Sequence, residues 1–249
     1  GCAELMRIGS PDHLQAVDRA HRVSGKALIG LFAVTSMIGL IAYFIFRIKS
    51  FAYLALLAFG FTIRFLYSDL YFYYDFGMAL PWEWAAKIEY GTIPLIVLSG
   101  ALFISSIYPQ EFRRSVLYFV VGADALLIII ALLAPSSIFS PLLVVIQIFG
   151  LALVSYAIYV ILKALISGRI GAWITAAGIT AFAVIGFYNI YIFLTLSDLN
   201  RTVIHIGYAV ALLLNIISLL YRTPVRLRSE EEDILRYSDF YTDKEKARI

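Results

Sequence analysis

The sequence has very little cysteine and histidine, two residues from which metal centres and many catalytic sites are built. Cys2 is the only cysteine, which excludes an internal disulfide and a cysteine metal cluster. The three histidines, His13, His21 and His205, do not show the spacing of zinc ligands. A glycine loop that would bind phosphate is also missing. These absences predict a protein that is not an enzyme and that holds no cofactor and no metal.

The sequence contains the residue types of two intramembrane enzyme sites, but not the placement that either site needs. Ser99 with His205 would supply a serine–histidine dyad, but nothing in the sequence indicates that the two residues meet. Asp124 with Asp75 weakly resembles the pair of an intramembrane aspartyl protease, but Asp75 falls between two apolar stretches. A retinal photoreceptor needs a lysine in its last span, and Val203–Tyr221 has none. All three interpretations are therefore disfavoured.

Charged residues are scarce, and apolar residues take their place. The chain is 61% hydrophobic and 15% charged, and its mean hydropathy is +0.86. A soluble domain is about half apolar and a quarter charged, so lipid must cover the excess. A membrane span needs roughly 20 apolar residues. Seven stretches qualify: Ala27–Phe46, Phe51–Tyr67, Ile88–Ile107, Val116–Ala134, Leu142–Leu165, Gly171–Leu196 and Val203–Tyr221.

The basic residues predict the orientation, because they concentrate in cytoplasmic loops. The opposite loops are mainly acidic, and the basic N-terminal tail weighs little because long translocated segments largely escape the rule. We expect an all-α membrane protein, a seven-transmembrane helix bundle with its N-terminus outside and its C-terminus cytoplasmic. Basic residues lie at the end of the first, third, fifth and seventh spans or directly after it: Arg47, Lys49, Arg113, Arg114, Lys163, Arg169, Arg222, Arg226 and Arg228.

The composition divides the chain into three parts. Residues 1–26 are polar and are expected to lead in from an extracytoplasmic domain. Residues 27–221 form the seven-helix transmembrane domain. Residues 222–249 are expected to be a cytoplasmic juxtamembrane linker to an output module, with Pro224 ending the last membrane helix. Residues 135–141 are short and uncharged, and they predict a tight turn.

Ionisable residues inside membrane spans are costly, so they are candidates for function. Arg64, Glu89 and His205 are predicted at one level in the outer third, where they would line a polar pocket. The alternative is an ion pair between Arg64 and Glu89 that holds the second and third spans together. Asp124 lies deeper and is expected to make an interhelical hydrogen bond.

Aromatic residues crowd the longest outer loop, Tyr67–Trp84. Trp82 and Trp84 are the largest of them. One interpretation is an interfacial belt, in which amphipathic rings lie at the level of the lipid headgroups. The other is a lid over a cavity at the outer face, with Trp82 and Trp84 as ligand contacts.

Three short strings around the third span resemble those of the bacterial seven-transmembrane receptors with diverse intracellular signalling modules. They are Leu80-Pro81-Trp82-Glu83-Trp84, Lys87-Ile88-Glu89-Tyr90 and Ser106-Ile107-Tyr108-Pro109-Gln110-Glu111-Phe112. That family has leucine where this chain has Ile88. The resemblance covers most of residues 8–222 and implies a sensor domain before Gly1 and an output module after Ile249. Within these strings, Glu89 and Tyr90 are candidate ligand-binding or switch residues.

The resemblance implies a receptor that passes an extracytoplasmic ligand event to a cytoplasmic output domain. It also implies a multi-pass protein of the bacterial inner membrane. Its expected partners are membrane lipid and an unidentified extracytoplasmic ligand. Direct contact between the transmembrane region and nucleic acid is not expected, and a homodimer is an open alternative to a monomer. The alternative function is a transporter or channel for a small molecule or ion, which would need a continuous polar path across the bilayer.

Overall fold

The computed structural model describes residues 11–68, 72–78, 80–195 and 201–246, and these residues form helices and short turns without a strand. The all-helical prediction is therefore confirmed for the described part of the chain. The helices there are α1 (Pro11–Phe46), α2 (Lys49–Ser68), α3 (Phe72–Asp75), α4 (Trp82–Ile107), α5 (Arg114–Leu133), α6 (Ser136–Ile166), α7 (Ala172–Thr195) and α8 (Arg201–Lys246).

Seven of the eight helices are long, and their composition suits a bilayer. Within the described residues, α1, α2, α4, α5, α6 and α8 each contain a stretch long and apolar enough to cross a membrane. The remaining long helix, α7, is apolar over Ala172–Tyr188. Large apolar side chains such as Ile45 and Leu133 lie on the outer surface, where lipid rather than water would cover them. The predicted multi-pass membrane bundle is confirmed.

Six of the long helices form a closed ring. Around it, α1 packs on α2, α2 on α4, α4 on α6, α6 on α7, α7 on α8, and α8 returns to α1. Helix α5 packs mainly on the outside of α4, and α5 is the most exposed of the apolar spans. Inside the ring, the Phe61 ring lies 5.4 Å from that of Phe182 and 5.3 Å from that of Tyr208. Aromatic contacts thus join α2 to α7 and α8.

The two ends of the bundle differ. At one end, here called the Trp82 end, α4 begins and the short helix α3 covers α1. Phe72 of α3 is fully buried, and a Cβ at Gly25 would lie only 2.6 Å from its ring. Asp75 of α3 pairs with Lys26 of α1 at 3.0 Å. The other end, here called the Arg113 end, contains the loops between α4 and α5 and between α6 and α7.

Two prolines lie inside helices, at positions where the sequence predicted a turn and a helix end. The turn expected at residues 135–141 is shorter, because α6 already begins at Ser136 and contains Pro141. Helix α8 runs from Arg201 to Lys246 with Pro224 inside it, so the predicted stop at Pro224 is wrong. Proline removes one backbone hydrogen bond, and a long helix held by its neighbours tolerates that loss.

Candidate functional site

The interior of the ring contains a cavity of about 420 Å³, here called the Arg64 cavity. Helices α2, α4, α6, α7 and α8 all contribute to its wall. Along α4 the lining extends from Glu89 to Ile104, so the cavity follows much of the thickness of the bundle. Most of the lining is hydrocarbon, and its charged residues, Arg64 and Glu89, are near the Trp82 end.

The polar end of the Arg64 cavity is built from α2 and α4. A guanidinium nitrogen of Arg64, Nη1, donates to the backbone carbonyl of Glu89 at 3.4 Å. The hydroxyl of Thr92 donates to the same carbonyl at 2.6 Å. Tyr90 lines the cavity beside them. The structure therefore brings together three of the predicted site residues, Arg64, Glu89 and Tyr90.

His205 is one helical turn from Tyr208 on α8, but it is not among the residues that line this cavity. Its Nδ1 atom is 2.9 Å from the hydroxyl oxygen of Ser24 on α1, and its ring meets that of Phe65 edge-on at 6.2 Å. His205 is 4% exposed. The structure therefore does not place His205 with Arg64 and Glu89 in this cavity, because its side chain lies in the contact between α1 and α8.

Trp82 and Trp84 are exposed at the start of α4, with 69% and 51% of their surface accessible. Neither residue lines the Arg64 cavity. The ammonium of Lys87 lies 5.1 Å from the centre of the Trp84 ring and pairs with Glu83 at 3.2 Å. This placement fits rings at a lipid headgroup level better than a lid over the cavity.

Asp124 of α5 is fully buried. A Cβ at Gly91 would lie 3.9 Å from that of Ala131, and the antiparallel run of α4 and α5 then places Asp124 at the level of Ser99. Neither carboxylate oxygen has a hydrogen-bond partner within the described part of the chain. The prediction that Asp124 makes an interhelical hydrogen bond is therefore wrong for the described residues. The nearby hydroxyl of Ser99 donates to its own helix, to the carbonyls of Leu95 and Ile96.

A second polar site lies at the Arg113 end and was missed from the sequence. Arg222 of α8 donates from Nη2 to the hydroxyl of Tyr108 and, at 3.3 Å, to that of Thr175. Its guanidinium carbon also lies 4.7 Å from the centre of the Tyr108 ring. The hydroxyl groups of Thr175 and Ser218 are hydrogen-bonded to each other. These four residues, here called the Arg222 cluster, connect α8 to the end of α4 and to α7.

The loop after α4 is held to the loop after α6. Arg169 donates from Nε to the carboxylate of Glu111 at 2.8 Å, and from Nη2 to the side chain of Gln110. Glu111 is only 6% exposed. A cavity of about 510 Å³ lies between these loops and Arg222. The sequence did contain a sign of this site. Tyr108 and Glu111 belong to the family-like string after the third span, and Arg222 directly follows the last span, Val203–Tyr221.

Six long apolar helices in a ring, a seventh packed outside it, and polar groups at the two ends of the bundle together define a seven-helix membrane protein. The family model described as "7TM diverse intracellular signalling" matches residues 26–222. The chain belongs to this family, and the resemblance inferred from the strings around the third span is confirmed. Neither a curated protein nor a solved structure matches the chain. The family description supports a seven-transmembrane receptor with a role in intracellular signalling.

Proposed function

We propose that this chain is the transmembrane part of a receptor, which passes an extracytoplasmic ligand event to a cytoplasmic output domain. One observation carries the proposal: α8 takes part in both polar sites. Its Tyr208 lines the Arg64 cavity, its Arg222 forms the cluster at the other end, and the same helix continues to Lys246. A displacement of α8 at the first site would therefore reach the second.

The proposed orientation places the Trp82 end outside and the Arg113 end in the cytoplasm. It rests on the basic residues Arg47, Arg113 and Arg169, which lie at the Arg113 end together with Arg222. The proposed location is the bacterial inner membrane, with lipid around the bundle and no contact between this region and nucleic acid. A homodimer stays a prediction. In this proposal the chain has no catalytic activity of its own.

The proposed switch is a change in the packing of α8. A ligand shifts such an equilibrium only by the difference between its affinities for the two states. Hydrogen bonds that involve a charged group contribute about 1.5–3 kcal/mol each, so the contacts of Arg222 are strong enough to favour one position of α8. An event that breaks them would release the part of α8 beyond the membrane.

The lining of the Arg64 cavity supports a receptor over a transporter or channel. A conducting path needs polar groups across the whole bilayer. In the Arg64 cavity, the charged residues Arg64 and Glu89 are at the Trp82 end. The α4 wall towards the Arg113 end is hydrocarbon, as at Val97, Ala101 and Ile104.

The proposal is tested by measuring the position of α8 with spin labels. Cys2→Ser gives a background without cysteine, and Ser167→Cys with Arg228→Cys places two labels at exposed positions. We expect Arg222→Gln to shift or broaden the distance distribution between the labels in lipid nanodiscs. The matched control, Arg114→Gln, removes an exposed arginine and should leave the distribution unchanged. An unchanged distribution in Arg222→Gln would contradict the proposal that this cluster holds α8.

A further inference from the structure

We propose that the Arg64 cavity binds a single-chain amphiphile, with its hydrocarbon chain along α4 and α6 and an uncharged, hydroxylated head group at Arg64 and Glu89. A monoacylglycerol has this chemistry. This inference goes beyond the proposed receptor function, because binding can be measured whether or not α8 transmits a signal.

The dimensions of the cavity suit a hydrocarbon chain. Its volume of about 420 Å³ is typical of small-molecule sites, which range over roughly 300–1,000 Å³. The α4 lining extends from Glu89 to Ile104, which is about 22 Å at the rise of an α-helix. A site this long, narrow and apolar fits an extended chain. A sugar or a free amino acid would leave most of the wall without a partner.

Glycines on three helices keep the cavity open. Gly100 of α4, Gly150 of α6 and Gly186 of α7 all belong to the lining. A Cβ at Gly100 or Gly186 would meet no atom within 4 Å, so there is empty space beside these positions. A larger side chain there would occupy the space of the proposed ligand without a clash at its Cβ.

The polar end favours a head group that is neutral and carries both donors and acceptors. Arg64 supplies hydrogen-bond donors, Glu89 supplies a carboxylate, and Tyr90 supplies a hydroxyl, which both donates and accepts. The Arg64 guanidinium is hydrogen-bonded to the backbone of Glu89, and both residues line the same end of the cavity. An anionic head group bound by Arg64 would therefore also lie close to the like charge of a Glu89 carboxylate. Hydroxyl groups can bond to both residues without that repulsion.

The test uses a monoacylglycerol with a photoreactive diazirine in its chain, added to the protein in phospholipid nanodiscs. After illumination, mass spectrometry of peptides locates the label. We expect labelling of the α4 and α6 segments that line the cavity to exceed labelling of lipid-facing α5. An excess of unlabelled monoacylglycerol should reduce the cavity labelling by at least about tenfold, because the probe and the competitor share one site.

Two substitutions should abolish cavity labelling, Gly100→Leu and, independently on α7, Gly186→Leu. The matched control is Gly122→Leu, because Gly122 lies on α5 outside the lining and also has open space at its Cβ. It should keep the cavity labelling. A melting curve of each variant establishes that it is folded. If Gly100→Leu does not fold, the labelling of Gly186→Leu alone tests the inference.

Three results would overturn the inference. The first is equal labelling of the cavity segments and α5, which would mean that the probe only samples bulk lipid. The second is undiminished cavity labelling in a folded Gly186→Leu protein. The third is equally efficient labelling by a diazirine fatty acid of the same chain length, which would refute the neutral head group. Phospholipid is present in large excess in every arm, so a phospholipid chain as the true occupant would appear as the first result.

Discussion

Asp124 shows how a single residue can work against the stability of a membrane bundle. Its carboxyl group is fully buried on α5 without a hydrogen-bond partner in the described residues. An unpaired buried carboxyl must either carry a desolvated charge or take up a proton, and a neutral amide of the same shape does neither. We therefore expect Asp124→Asn to stabilise the protein by about 1–3 kcal/mol at neutral pH. Thermal unfolding in detergent measures this, with the exposed Glu83→Gln as the control. A lower unfolding temperature for Asp124→Asn would contradict the prediction.

Asp75 makes the stability of the contact between α3 and α1 depend on pH. The hydrogen bond from Lys26, with the nearby charges of Lys26 and Arg22, holds the pKa of Asp75 below its ordinary value of 3.8. A carboxyl with a lowered pKa stabilises the fold above its unfolded pKa, and that contribution is lost as the pH falls through the folded value. We expect the attachment of α3 to α1 to weaken below about pH 4.

The measurement for Asp75 is the unfolding temperature as a function of pH. Between about pH 6 and pH 3, Asp75→Asn should show a smaller fall than the unaltered protein, because it has no carboxyl to protonate at this contact. Identical pH profiles would mean that the pairing of Asp75 with Lys26 does not contribute to stability.

At the scale of elements, the apolar runs predicted where the helices lie but not where they end. The run Ile88–Ile107 belongs to α4, which begins earlier, at Trp82. The run Val203–Tyr221 belongs to α8, which continues to Lys246. Hydropathy records only the part of a helix that lipid surrounds, so polar turns beyond the bilayer escape it.

The sequence predicted the depth of the site residues in the membrane, but not the face of the helix on which each side chain lies. Counting residues along a span gives the level of a side chain, and so Arg64 and Glu89 were correctly expected to lie near each other. The face towards which a side chain points depends on which helices become neighbours. His205 therefore contacts Ser24 of α1. Tyr108 and Arg222 meet across 114 positions of sequence, a contact that no local pattern indicates.

The packing of α7 on α8 depends on a glycine. A Cβ at Gly178 would lie 2.6 Å from Nδ2 of Asn215 and 3.3 Å from its backbone nitrogen. Asn215 is fully buried, and its Nδ2 donates to the carbonyl of Ala211, so it has little freedom to move away. We expect Gly178→Ala to force the two helices apart and to lower the free energy of unfolding by about 1–3 kcal/mol.

The matched control for Gly178→Ala is Gly122→Ala on α5. A Cβ at Gly122 meets nothing within 4 Å, and alanine is the better residue inside a helix. This variant should be as stable as the unaltered protein or slightly more stable. Equal unfolding temperatures for the two variants would show that the close approach at Gly178 does not hold α7 against α8.

At the scale of the whole molecule, the number of spans decides what the protein can do. The long helices of the described chain and the family match over residues 26–222 support seven crossings. An odd number of crossings leaves the two ends of the domain on opposite sides of the membrane. In the proposed orientation, the polar end of the Arg64 cavity and the Arg222 cluster then face different compartments, with α8 in contact with both sites.

Cysteine labelling in cells tests this central claim most directly. In a Cys2→Ser background, Gln15→Cys and Arg228→Cys each place one thiol at an exposed position near one end of the domain. A maleimide that cannot cross the inner membrane should label Gln15→Cys in intact spheroplasts, and Arg228→Cys only after the membrane is permeabilised. If both positions react before permeabilisation, or neither does, the ends lie on one side and the account is contradicted.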